Sequence, residues 1–145
     1  MFNDSSVAGV MIKDGQRQLY VRRLDQLVAT PIQGTETANS CFFSPDGEAI
    51  GLVSVDRTLK RVSLMSGLVV VLVRGIDFLS GGAWGPDDRI TFGLRGTLAQ
   101  LPPSEGTPQR LMTLDASRHE LSQAWPSVTP DGKVILLGST ETAAG

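Results

Sequence analysis

Three stretches of this sequence can be laid over one another: "CFFSPDGEAIGLVS" at 41–54, "GAWGPDDRITFGLR" at 82–95 and "WPSVTPDGKVILLG" at 125–138. Each is an apolar run, a Pro-Asp turn and a second apolar run. The turn prolines are Pro45, Pro86 and Pro130. Proline presets φ for the first central residue of a type I turn, and the aspartate that follows (Asp46, Asp87, Asp131) can accept a hydrogen bond from the backbone ahead of it. Glycine, at Gly47 and Gly132, then takes the left-handed conformation that closes a hairpin with a bulge. Asp88 replaces that glycine in the second copy, which aspartate tolerates better than most residues. One aspartate per repeat at a hairpin tip is what turn formation alone selects, so these residues read as structural rather than as catalytic groups or metal ligands.

The rest of each unit recurs as well. A third extended segment follows each hairpin, "LYVRRL" from Leu19, "LKRVSL" from Leu59 and "LAQLPP" from Leu98. A fourth comes after a short turn, "ATPIQG" from Ala29, "VVVLVRG" from Val69 and "PQRLMTL" from Pro108. No run of helical length carries a 3.6-residue apolar period, and "DASRHELSQAW" reads as a long loop. Four strands at an interval of roughly 40 to 45 residues is the signature of a propeller blade. The expected fold class is therefore all-β, a partial β-propeller of four-stranded antiparallel blades, about three in number and incomplete at both ends. It forms one domain, 1–145, with blade 1 (strands two to four) at 7–34, blade 2 at 41–75, blade 3 at 81–114 and blade 4 (strands one and two) at 125–138.

These repeats resemble the WD40-like (PD40) propeller repeats of the TolB type, and most closely the propeller regions of bacterial serine/threonine protein kinases. "LYVRRLDQLVATPIQGTE", "FFSPDGEAIGLV", "LKRVSL", "GGAWGPDDRITF" and "WPSVTPDGKVILLG" carry the likeness across nearly the whole chain. The resemblance implies a sensory or interaction module. It departs from the pattern before the third turn, where "ELSQAWP" has Gln123 at the place of an expected histidine. No kinase motif is present, neither a glycine-rich loop nor His-Arg-Asp nor Asp-Phe-Gly.

Composition narrows the function further. A net charge of −2 gives no field for nucleic acid or an anionic membrane, and the densest basic stretch, Lys13, Arg17, Arg22 and Arg23, reads as a strand edge protected by charge. The single cysteine, Cys41, excludes an intrachain disulfide, and with one histidine beside it there are too few soft ligands for a closed zinc site. No cofactor and no metal are expected. The N-terminus lacks the basic and apolar regions of a signal peptide, and the longest apolar run, Leu68 to Val73, is far short of a membrane span. The expectation is a cytoplasmic protein, or an extracytoplasmic one if the chain is a piece of a receptor kinase or a TolB-like protein.

No nucleophile elbow, zincin motif, Walker loop or EF-hand loop occurs. Asp115, Ser117 and His119 lie too close along one connection to form a relay, so the chain is not expected to be an enzyme. Phe42, Phe43, Trp84, Phe92 and Trp125 are expected in packing between blades. Recognition belongs on loops held by a rigid scaffold. The inter-blade connections from Gly34, Gly75 and Asp115 should share one face, which makes Glu36, Phe78, Arg118, His119 and Glu120 the candidate recognition surface.

A blade stack that stops short of closing leaves an apolar flank at each end. The expected partner is a second copy, most simply in a two-fold dimer, or the missing blades of a longer chain. The preferred function is a non-catalytic interaction or sensory module. Two alternatives are a fragment of a gating propeller from a prolyl-oligopeptidase-like enzyme, and a small-molecule-binding oligomer with its site on the ring axis.

Overall fold

The computed structural model describes residues 6–102, 107–111, 120–131 and 135–141. Thirteen strands and no helix occur among the described residues. Strands β1 (Ser6–Lys13), β2 (Gln16–Arg23) and β3 (Thr30–Pro31) form a sheet in sequence order, and β4 (Ala38–Phe43), β5 (Ala49–Ser54), β6 (Thr58–Ser63) and β7 (Val69–Arg74) form the next. A third sheet holds β8 (Gly82–Trp84), β9 (Ile90–Leu94), β10 (Thr97–Leu101) and β11 (Gln109–Arg110), and β12 (Glu120–Val128) pairs with β13 (Ile135–Glu141) in a fourth. Every pairing is antiparallel. The sheets stack face on face with β4, β8 and β12 adjacent, the arrangement of inner strands in a partial β-propeller.

Two expectations are corrected at the level of strands. The segment ahead of Trp125 is not loop throughout: β12 starts at Glu120, where Glu120 opposes Glu141 and Gln123 opposes Ser139, across two irregularities in register. Bulges of this kind let a strand run on where side-chain alternation fails. The last strands of the first and third sheets shrink to two residues each, and Pro31 sits in such an edge strand, where a missing N–H is harmless.

The turns follow the chemistry of their residues. In the first, Gly47 N donates to Ser44 O at 3.0 Å and Gly47 has φ +74°. Asp46 Oδ1 accepts from Glu48 N at 2.9 Å and from Ser44 Oγ at 2.6 Å, and Ser44 Oγ in turn accepts from Ala49 N at 3.0 Å. In the second, Asp88 holds φ +66° and its carboxylate accepts from Trp84 Nε1 at 2.7 Å. The side chain that replaces glycine thus gains a partner for the conformation it adopts. In the third, Thr129 Oγ1 donates to Asp131 Oδ1 at 2.7 Å, and Gly132 lies outside the described residues.

The Ser44 hydroxyl, and after it the Glu48 N–H, hold the Asp46 carboxyl below its ordinary range. A lowered pKa in the folded state stabilises the fold above the unfolded value of about 3.9, and that gain is lost as pH falls through the folded value. Asp46→Asn is therefore expected to lower the urea midpoint at pH 7. The gap to the parent should close as the pH is taken toward 3, and a gap that stays constant would remove the carboxylate from the account.

Two cores lie between sheets. Ala8 and Leu19 meet Ala38, Ile50, Leu52 and Val62 between the first and second, with Cys41 half-buried beside them and its thiol pushed up by burial. Phe42, Val53 and Leu59 meet Ile90, Phe92, Ala99 and Leu101 between the second and third. Strand β5, covered on both faces, is buried at every residue, whereas β1 is buried at Ser6 and Ala8 and exposes Val7 and Met11. That contrast marks the first sheet as an end of the stack.

Phe42 is the tightest joint. It opposes Gly51 across the β4–β5 ladder, and its ring also abuts Gly82 of the neighbouring sheet. A Cβ at Gly51 would stand 2.2 Å from Phe42 Cε2, and one at Gly82 2.4 Å from Cε1. The ring occupies the space that two missing side chains leave.

Candidate functional site

Antiparallel alternation puts the inter-blade connections and the turns between second and third strands at one end of the sheets. Both connections open the same way. Gly34 and Gly75 adopt φ of +86° and +81°, bending the chain away from the outer strand. The next residue, Thr35 or Ile76, is fully buried. An acid follows, Glu36 or Asp77.

Each plug is tied to its sheet differently. Thr35 Oγ1 donates to Ile32 O at 2.6 Å and accepts from Leu19 N at 3.0 Å, serving a ladder group that the short β3 leaves over. Glu36 Oε1 accepts from Gly34 N at 3.1 Å, which closes the bend. In the second connection Gly75 N and Ile76 N donate to Arg57 O at 2.8 and 3.1 Å, while Arg57 Nε donates back to Ile76 O at 3.0 Å. Asp77 N donates to Gly93 O at 2.9 Å, and Asp77 Oδ2 accepts from Gly96 N at 2.7 Å. The Arg57–Asp77 ion pair spans 4.0 Å with more than half of the arginine side chain exposed, so it contributes little beside these bonds.

Arg57 occupies a turn position at φ +65°, a conformation that suits glycine. Arg57→Ala would lose the guanidinium bonds and keep the backbone strain, whereas Arg57→Gly would lose the bonds and relieve it. The alanine variant is expected to be less stable than the glycine variant by about 1 kcal/mol in urea denaturation; equal stabilities would refute strain at this turn.

A second bridge crosses three elements. Arg17 Nη1 donates to Asn39 Oδ1 at 3.1 Å, and Asn39 Nδ2 donates to Phe78 O at 2.8 Å. Phe78 is half-buried against the core between the second and third sheets, and Glu36 is exposed at the same end. Glu120 opens β12 rather than lying in a connection, and Arg118 and His119 lie outside the described residues, as do Asp115 and Ser117. Arg57, Asp77 and Asn39 were not among the sequence candidates. Aligning "GTE" at 34–36 with "GID" at 75–77 is the signal that finds Asp77.

Chemically, this end offers carboxylates, guanidinium groups and backbone carbonyls held in place by both neighbouring sheets. Among the described residues no three His, Cys, Asp or Glu side chains gather as metal ligands. A separate recess of about 220 Å³ lies beside the inner strands, lined by Phe42, Phe43, Trp84, Pro126 and Val128.

No protein-family model matches the sequence, and no curated protein matches it. Solved structures do. TolB from Acinetobacter baumannii superposes with a TM-score of 0.76 at 19% identity, over 97% of this chain and 36% of that one. A putative TolB from Agrobacterium tumefaciens gives 0.77 at 15% identity, over 97% of this chain and 52% of that one. The fold is TolB-type. At these identities the likeness is one of fold alone, and the chain spans about a third of one TolB structure and about half of the other. An oligogalacturonate lyase in complex with manganese aligns at a TM-score of only 0.47. Within the TolB-type fold, the end that carries Glu36, Asp77 and Phe78 is the face of inter-blade connections.

Proposed function

We propose that this chain is a non-catalytic propeller module that binds another protein through the connection end, with its ring completed by self-association or by further blades of a longer chain. The observation that carries the proposal is the contrast between the inner sheets and the first one. β5 is covered on both faces, while the first sheet turns Val7 and Met11 to solvent. The likeness of the repeats to kinase-attached propellers supports a sensory or interaction role, and the candidate recognition surface remains Glu36, Phe78, Arg118, His119 and Glu120.

Light scattering on the purified chain tests the self-association arm. The expected mass at micromolar concentration is twice the 15.5 kDa of the chain. A stable monomer would end the dimer reading and leave completion to blades supplied in cis.

A further inference from the structure

We infer that the wedge between the first and second sheets is a binding pocket for an arginine side chain presented by a partner polypeptide. The inference goes beyond the proposed function and does not rest on it, because the pocket opens at the turn end, opposite Glu36 and Phe78.

Two equivalent wedges can be compared among the described residues, one on each flank of the second sheet. Leu19 and Leu59 are fully buried at matching places in the third strand of their blades, and two residues later come Val21 and Arg61. Val21 opposes Ala8 and Thr30, and Arg61 opposes Gly51 and Val70, so the two share a register. The first turn of the following blade closes each wedge with a left-handed residue, Gly47 in one and Asp88 in the other.

What fills them differs. Between the second and third sheets the Arg61 guanidinium lies over the Trp84 ring, 5.6 Å from its centroid, and the indole donates to Asp88. Only about 120 Å³ remains open there. Between the first and second sheets Val21 is too short to cross and Gly47 has no side chain. A cavity of about 540 Å³ results, floored by Val21, Ile32 and Leu64 and rimmed by Gln26, Thr30 and Glu48. That volume lies within the range of ligand pockets.

The filled wedge shows which group its equivalent can take: a planar cation, held there over the Trp84 ring in a recess that Asp88 also lines. In the open wedge the rim carboxylate of Glu48 is the group that would face such a cation. It is exposed and makes no ion pair among the described residues, whereas Arg23 at the rim is already paired with Asp25 at 3.3 Å. Arginine suits such a site better than lysine, because its guanidinium is more weakly hydrated and binds carboxylate through a planar fork.

The probe is N-acetyl-L-arginine amide, titrated into the isotope-labelled full chain and followed by NMR. The expected result is saturable shifts at the Gly47 and Glu48 amides with millimolar affinity, as befits one side chain. Glu48→Gln should weaken binding by roughly three- to five-fold. Val21→Arg, which installs the chain's own guanidinium, should abolish the shifts while the spectrum stays dispersed. If Val21→Arg does not fold, Glu48→Gln decides alone. Absence of saturation, equal binding of N-acetyl-L-glutamate amide, or unchanged affinity in Glu48→Gln would each overturn the inference.

Discussion

Replacing Phe42 with alanine is expected to lower the stability of the chain by about 3–5 kcal/mol, the cost of a large aromatic removed from a packed core. The side chain is 3% exposed and joins the core between the second and third sheets. Its surroundings cannot close over the loss, because the nearest groups on two sides are Gly51 and Gly82, which have no side chains to lean inward. A domain of this kind holds about 5–15 kcal/mol in total. Urea denaturation should thus show a large fraction of the stability gone, and a loss under about 1 kcal/mol would contradict the packing described.

Gly82→Ala and Gly51→Ala are expected to fail for the opposite reason. Each new Cβ would fall inside contact distance of the same ring, at 2.4 and 2.2 Å. The ring cannot retreat from one without pressing on the other. Overpacking of this sort costs about 1–3 kcal/mol per site. The diagnostic result is non-additivity: combined with Phe42→Leu, which withdraws the ring, either alanine should cost far less than it does alone. Strictly additive urea midpoints would mean that the strain lies elsewhere.

The fold was legible because its signals are local and repeated. Pro45, Asp46 and Gly47 state a turn from residue chemistry alone, and Asp88 could be read as a tolerable stand-in for glycine before its bond to Trp84 was known. Strand β12 was not legible upstream of Trp125, since "ELSQA" lacks apolar alternation and owes its extension to pairing with β13 across bulges. The candidate site was legible only as a set of loops. Arg57 and Asp77 act through backbone groups of segments distant in sequence, and a lone charge on a hairpin has no periodicity to betray it. The pairing of Phe42 with Gly51 and Gly82 was half visible: the aromatic announced core packing, but nothing near Gly82 announced that its missing side chain is the socket.

That knob and socket also give the stack a polarity. One flank of the second sheet carries the protruding ring of Phe42, and the flank of the third sheet that meets it carries the notch at Gly82. Reversing either sheet would part the ring from its notch. The second and third sheets therefore stack front to back. Two copies that extend this stacking to close a ring must use both ends of each chain, rather than clasp like flank to like flank.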